Sequence, residues 1–248
     1  MAVVEAFRKH IDSVERLMNF DRDVLAFAIE TIGELQQRLV QHHKLDNPSL
    51  TAERSLKILS GYREHDSLRT RYETIFNQAL VLLVSYFSSS VHDLFRRGVA
   101  VALVQDSDTP LLREQVKLSF RELRDADFEL RDLAPDLLVQ AKDISFQDMK
   151  SIANAFKDYL GINVERSPNV HDIILAQGCR HVIVHAGGIV DERLVRQLRG
   201  AIPRELKKEL SVGQAVQFTV PEIRDVAAAM LAYLESVARS VEVKYGVV

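Results

Sequence analysis

The chain has 248 residues, of which 47% are apolar, enough to build a hydrophobic core in one large domain or two small ones. Its 32 basic and 35 acidic side chains leave a formal net charge of −3, which excludes the strongly basic surface of a high-affinity nucleic-acid binder but allows an RNA substrate in a small cleft. The single cysteine, Cys179, excludes an internal disulfide framework.

The most apolar stretch of the sequence, Ala79 to Phe87, is much shorter than the roughly 20 residues that a membrane-spanning helix requires. We interpret this stretch as part of a core helix. Glu5 stands where a secretory signal would need an apolar run. Together with the single cysteine, these features predict a cytoplasmic protein with no membrane partner.

The N-terminal part of the chain has a helical pattern. Apolar residues recur every three or four positions over the first forty residues, which predicts a helix, with an interruption near Asp21 left open. We therefore interpret residues 1–45 as an N-terminal helical segment packed on the bundle.

The main helical domain is expected over residues 46–248. It begins with a turn at Asn47-Pro48-Ser49, after which the apolar pattern predicts helix through about Val104, with a kink at Gly61 left open. Thr109-Pro110 is a typical start signal, so a shorter helix should follow.

Two further helices are predicted from their capping residues. Ser145 and Asp148 have the spacing of a capping box, which opens a helix that stops at Gly161. Asn169 is expected to be the N-cap of a helix that reaches His185 and is ended by a glycine pair at 187 and 188.

The C-terminal region completes an all-α fold class. Asp191 is expected to cap the next helix. Alternation of apolar and polar residues over 211–220 predicts one short β-hairpin or extended segment, and Thr219 with Glu222 caps a long amphipathic last helix.

One short motif carries most of the functional information: Arg180, His181 and His185 lie within six consecutive residues. On a helix, Arg180 and His185 are about 7.5 Å apart along the axis and about 140° apart around it, whereas His181 and His185, at i and i+4, share one face. An arginine beside two imidazoles that titrate near neutral pH suits chemistry on phosphate.

This motif resembles the signature of the HEPN superfamily, an arginine followed by a polar residue and by a histidine four to six positions later. The resemblance implies an HEPN-like helical bundle and metal-independent endoribonuclease activity, from a composite site that two protomers form together. It further implies an RNA substrate, a homodimer, no cofactor, and the role of a toxin or phage-defence effector restrained by an antitoxin or regulatory protein.

The resemblance also assigns a role to each motif residue. His185 is expected to move a proton as general base or acid, Arg180 to hold the phosphate and offset charge in the transition state, and His181 to orient the pair or the phosphate. Many relatives carry an asparagine where this chain has Ala186, and an acidic residue where it has Ser88-Ser89-Ser90. The alternative is therefore a non-catalytic HEPN-like helical module that binds a nucleotide or a partner protein.

The same residues admit other interpretations. His185 and Arg180 could be a helix-terminal cation and a surface ion-pair partner. The spacing of His181 and His185 also occurs in zinc-binding helices, but Val182 stands where a metalloprotease needs its glutamate and no third ligand is suitably spaced, so no metal site is expected. Cys179 is interpreted as a small buried helix residue.

Basic residues cluster after the motif and admit two interpretations, a solvated helix face or a strip that guides the substrate. They are Arg193, Arg196, Arg199, Arg204, Lys207 and Lys208.

Overall fold

The computed structural model of the protein describes residues 2–42, 49–64, 73–106, 108–125, 127, 128, 130–164 and 168–246. These residues form nine α-helices and one 3₁₀ helix, Pro110–Arg113, and they contain no β-strand. The α-helices are α1 (Ala2–His42), α2 (Ser49–Glu64), α3 (Glu73–Gln105), α4 (Phe120–Asp125), α5 (Leu130–Ala141), α6 (Met149–Leu160), α7 (Pro168–His185), α8 (Glu192–Leu198) and α9 (Val220–Tyr245). The all-α fold class expected from the sequence is confirmed.

Helix α3 is the central helix of the bundle and contacts α1, α5, α6, α7 and α9. Leu83, Phe87 and Phe95 on α3 are completely buried. The rings of Phe7 from α1 and Tyr233 from α9 pack edge to face against Phe87, with ring centroids 6.0 and 5.8 Å away. Aromatic pairs of this geometry add to the stabilisation that burial itself provides.

By length and composition, α3 also meets the criterion for a membrane-spanning helix. The segment Thr74–Gln105 contains a window of mean hydropathy 1.3, and 44% of that window is buried in the bundle. A buried core helix meets the same criterion, so length and hydropathy do not distinguish a core helix from a membrane-spanning helix. The apolar segment is longer than the stretch from Ala79 to Phe87 that the sequence singled out.

Helix α1 runs antiparallel to α9. Near the start of α1, Arg8 pairs with Glu235 far along α9, and further on Glu15 accepts a hydrogen bond of 2.7 Å from Arg224 in the first turns of α9. Residues of α1 beyond these pairs therefore extend past the start of α9.

Helix α7 also runs antiparallel to α9, which places its last residue, His185, beside the start of α9. Asn169, in the first turn of α7, lines a pocket together with Ser236 and Ser240 in the second half of α9. At the other end, the Val216 amide donates to the Gly188 carbonyl at 2.8 Å, and the Asn77 side chain of α3 donates to the Val216 carbonyl at 2.9 Å. We call this the His185 end of the bundle.

Two expectations for the N-terminal half have different outcomes. Helix α1 is continuous over 41 residues, so the interruption considered near Asp21 is wrong; an aspartate inside a helix costs only about 0.5 kcal/mol, and no proline or glycine is close by. Residues 49–104 hold two described helices, α2 and α3, and Gly61 lies inside α2. The predicted turn at 47–48 and the part of the predicted helix over 65–72 lie outside the described residues.

Three predicted helix starts need correction. Asp148, and not Ser145, is the N-cap of α6, because its carboxylate accepts from the Ser151 amide at 2.8 Å. Asn169 lies inside the first turn of α7, which begins at Pro168, since the fixed φ of proline suits the first helical position. The start signal at Thr109 opens only a 3₁₀ helix, and the Thr109 side chain makes no capping hydrogen bond.

Other predicted boundaries are confirmed. Gly161 ends α6 with φ of 60°, Asp191 caps α8, and Thr219 with Glu222 forms the capping box of α9. These are local signals, which is why the sequence alone reveals them.

Residues 211–220 do not form a hairpin. They comprise a turn at 212–213, an irregular stretch over 214–219, and Val220, which is the first residue of α9. Their pairing is one isolated β-bridge between Ile189 and Ala215. Val216 and Phe218 are buried, which explains the alternating pattern. The end of α7 at His185 and the start of α8 at Glu192 bound the first paired segment, and the turn at 212–213 bounds the second.

Candidate functional site

The motif residues lie in the last two turns of α7. The helix ends where the Ala186 and Gly188 amides both donate to the Val182 carbonyl, at 2.9 and 3.1 Å. Gly187 and Gly188 follow with φ of 61° and 76°, a left-handed conformation that glycine adopts at little cost. The predicted end of the helix at His185 is thus confirmed.

Arg180 and His181 line a cavity of about 490 Å³ between α3, α7, α8 and the turn before α6. We call it the motif cavity. Its lining residues are Val84, Ser85, Ser88, Ser145, Gln147, Asp148, Gln177, Arg180, His181, Arg193 and Gln197. His185 is not among these lining residues and is exposed on the final turn of α7.

The two histidines are neighbours, as the i, i+4 spacing predicts. Their ring centroids are 4.8 Å apart, with an angle of 51° between the ring planes. The three motif residues therefore do not share one cavity. Arg180 and His181 line the motif cavity, whereas His185 lies outside it, at the His185 end of the bundle.

Arg193 of α8 brings a second guanidinium to the motif cavity. Asp191 caps α8 by accepting from the Leu194 amide at 2.7 Å, and this places Arg193 in the first turn, with Nη1 3.4 Å from Nε2 of His181. Arg180 forms no hydrogen bond or ion pair with another described residue. Two arginines in one small cavity favour an anionic ligand such as a phosphate.

The pKa of His181 is lowered from its ordinary value. Partial burial of the ring is the largest cause, and the positive charge of Arg193 and the neighbouring His185 contribute further. A neutral imidazole is therefore favoured at neutral pH, and a neutral imidazole can accept a hydrogen bond or a proton.

Gln177 and Asp148 are further polar side chains of the cavity wall. The Gln177 side-chain oxygen accepts from the Met149 amide at 3.1 Å. Gln177 is only 4% exposed, and its Nε2 has no hydrogen-bond partner among the described residues. Asp148 is the single carboxylate among the cavity's described lining residues.

Sequence reasoning singled out Arg180 and His181, and it named Arg193 as a member of a possible substrate-guiding strip, but it missed Gln177 and Asp148 as site residues. Gln177 precedes Arg180 by three positions and His181 by four, so helical spacing could have revealed it. Asp148 and Arg193 reach the cavity only through the packing of α6 and α8 on α7, which no local pattern indicates.

Ser88 also lines the motif cavity. Its hydroxyl donates to the Val84 carbonyl one turn earlier at 3.0 Å, and Ser85 bonds the Val81 carbonyl in the same way at 2.7 Å. The carboxylate of this cavity comes from Asp148, on a different element.

Cys179 is completely buried, as expected for a small core residue. Burial raises the pKa of its thiol to about 12, against the opposing effect of Lys207 and Arg204. The thiolate is therefore scarce at neutral pH, and Cys179 is no candidate nucleophile.

The cluster of basic residues after the motif does not act as one unit. Arg193 lines the cavity, whereas Arg204 donates to the Lys207 and Lys208 carbonyls at 3.0 Å each and so orders the segment before α9. Lys207 in turn pairs with Glu222 at 2.9 Å. A continuous strip that guides the substrate is therefore wrong for Arg204 and Lys207, which have structural partners.

Within the described residues, no three His, Cys, Asp or Glu side chains come together in the manner of a metal site. Comparison of the chain with protein-family models, with curated protein sequences and with solved structures gives no match. Functional inference therefore starts from the residues of the motif cavity.

Proposed function

We propose that the protein is a metal-independent endoribonuclease of the HEPN type, with Arg180, His181 and His185 as its site residues. One observation carries the proposal: Arg180 and His181 line a single cavity together with Arg193, and the His185 ring lies 4.8 Å from the His181 ring. Guanidinium groups that bind phosphate thus lie beside imidazoles that can exchange protons.

The proposed reaction uses the RNA's own 2′-hydroxyl as nucleophile. The 2′-oxygen attacks the adjacent phosphorus, the bond from phosphorus to the 5′-oxygen breaks, and the products are a 2′,3′-cyclic phosphate and a free 5′-hydroxyl. His185 takes the proton from the 2′-hydroxyl as general base or delivers one to the leaving oxygen as general acid. Arg180 holds the phosphate and offsets its charge in the transition state, and His181 orients these groups.

The proposed active form is a homodimer. Arg180 faces the motif cavity whereas His185 is exposed outside it, so one chain does not direct both groups into one cavity. A second copy could supply the complementary histidine to a composite site. A composite site also predicts that RNA cleavage stops when the dimer dissociates into monomers.

The test is cleavage of total cellular RNA in EDTA by the purified wild-type protein and by the Arg180→Ala and His185→Ala variants, with analysis of the fragment ends. We expect 2′,3′-cyclic phosphate ends from the wild type and a loss of about 100-fold or more in rate for each variant. His171→Ala is the control, because His171 lies at the other end of α7, where its Nδ1 is 2.6 Å from the Pro203 carbonyl.

Two outcomes would contradict the proposal. One is cleavage that persists in His185→Ala; the other is intact RNA in every lane from protein that circular dichroism shows to be folded.

We place the proposed enzyme among cytoplasmic toxins or phage-defence effectors, whose activity an antitoxin or regulatory protein restrains. Expression of the wild type should then arrest growth, and expression of His185→Ala should not. Equal growth with both proteins would remove the toxin assignment without affecting the enzymatic one.

A second candidate function is non-catalytic binding of a nucleotide in the motif cavity. It is favoured by the cavity itself, because about 490 Å³ lies in the usual range for a small-molecule site. Calorimetric titration with nucleoside monophosphates would then show binding that Arg180→Ala abolishes, while RNA stays intact with the wild type.

A further inference from the structure

Helices α1 and α2 form an arm that leaves the bundle at the His185 end. Because α1 runs antiparallel to α9 and passes the start of α9 shortly after Glu15, residues 19–42 extend about 35 Å beyond it. Helix α2 packs on this part of α1. We call residues 19–42 together with α2 the arm.

One face of α1 in this region is apolar and exposed. Leu17, Phe20, Val24 and Phe27 are 37, 65, 49 and 69% exposed. Their spacing of three, four and three places them within an arc of about 80° on the helix. We call these four residues the apolar stripe.

The apolar stripe is distinct from the face of α1 that packs on the rest of the chain. Phe7, Val14 and Met18 are buried against the bundle, and Ile32 and Leu39 line a small cavity with Ala52 of α2. The centre of this second face is about 100° from the stripe around the helix. Helix α2 therefore packs on the same face of α1 that the bundle covers nearer the N-terminus. It leaves the apolar stripe exposed.

We infer that the apolar stripe is the contact surface for a second copy of this chain. Alternating steps of three and four residues form the seam through which two helices pack in a coiled coil. Such a seam is complementary to itself, as a twofold dimer requires, because each copy presents the same residues to the other. A second copy of the stripe is therefore a sufficient packing partner.

The size of the apolar stripe agrees with this occupant. With the exposed fractions above and the 150–250 Å² that an aromatic side chain buries, the four side chains offer roughly 400 Å² per copy. Two copies cover about 800 Å² of stripe, so the roughly 1,200–2,000 Å² of a specific interface requires further contacts from the side chains that flank the stripe on the two arms. The largest exposed apolar patch of a typical monomer measures about 300–600 Å² and often has a function, and the stripe is of this size.

The position of the stripe links the dimer to the motif. The stripe starts where α1 leaves the bundle, which is the His185 end, so a dimer formed there brings the His185 ends of two bundles together. The link between the dimer and the motif residues rests on the proposed function. The inference that the stripe is a dimer contact does not depend on that function.

Sedimentation velocity tests the contact surface directly. The wild type should be a dimer, and a Phe20→Glu, Phe27→Glu double variant should be at least about 100-fold weaker in self-association, because it buries two charges in the seam. Phe120→Glu is the matched control, since Phe120 is 92% exposed on α4 and outside the arm; it should remain a dimer. Unchanged circular dichroism of the double variant would show that the bundle is folded.

A wild type that stays monomeric, or a double variant that stays dimeric, overturns the inference. RNA cleavage separates it from the proposed function. If the stripe variant is monomeric and the wild-type dimer leaves RNA intact, the contact surface stands and the proposed enzyme is wrong. If the monomeric variant cleaves RNA as fast as the wild type, the contact surface stands and the composite site is wrong.

Discussion

The arm and the body of the bundle use similar sequence patterns with different results. In the body, α1 buries Val4, Phe7, Val14 and Met18 to below 5% exposure. In the arm, α1 has apolar residues at the same spacing, yet none of its described side chains from residue 19 onward is buried. Periodicity thus predicts a helix in both regions, while burial depends on which helices lie alongside. The apolar face that the described helices leave exposed in the arm is the surface that we infer a second copy to cover.

The largest expected effect compares two phenylalanines of α1. Phe7→Ala should cost about 3–5 kcal/mol of unfolding free energy, because the completely buried ring leaves a cavity beside Phe87. Phe27→Ala should cost less than about 0.5 kcal/mol when the protein is dilute enough to be monomeric, because that ring is exposed. Urea denaturation at several protein concentrations measures both values. Equal losses in dilute protein would show that the arm is packed as tightly as the body.

A second comparison uses one glycine from each region. A Cβ at Gly178 of α7 would lie 2.5 Å from Leu194 Cδ1 of α8, and Leu194 is buried, so Gly178→Ala should cost about 1–3 kcal/mol through overpacking. It should also displace α8 and with it Arg193, and it should therefore lower the rate of the proposed RNA cleavage. A Cβ at Gly33 in the arm would meet nothing within 4 Å, so Gly33→Ala should stabilise the helix by about 0.5–1 kcal/mol.

Thermal denaturation and the cleavage assay together test this pair of glycines. If Gly178→Ala kept wild-type stability, α7 and α8 would be packed more loosely than the 2.5 Å between the added Cβ and Leu194 Cδ1 indicates. That result would contradict the prediction. A destabilised Gly33→Ala would mean that the arm packs more closely than its exposure indicates.

The sequence predicted the local features of the fold and site, and the packing decided the rest. The glycine pair that ends α7, the capping box at Thr219 and the neighbouring rings of His181 and His185 all depend on residues within one or two turns. The extent of α1 beyond the bundle and the entry of Arg193 into the cavity depend on contacts between distant elements. Those contacts are set by side-chain volumes across helix interfaces, which a pattern along one helix does not contain.

The smallest expected effect concerns the charge environment of His181. The folded-state pKa of this imidazole is lowered below its ordinary value of 6.5, by burial and then by Arg193. Its proton is therefore bound more weakly in the folded protein than in the unfolded chain. The contribution of His181 to the free energy of unfolding is fully present above pH 6.5. It is lost as the pH falls from 6.5 through the folded-state pKa.

Arg193→Gln should raise the pKa of His181 toward the ordinary value, because it removes a positive charge whose Nη1 lies 3.4 Å from the ring nitrogen. Stability should then decline less on the acid side, while stability above pH 6.5 changes little, because Arg193 is an exposed surface residue. NMR titration of the imidazole protons measures the pKa, and Arg196→Gln, on the same short helix but outside the cavity lining, should leave it unchanged. An equal shift in both variants would attribute the lowered pKa to the overall charge of α8. No shift in either variant would leave burial and the charges of His185 and Arg180 as its causes.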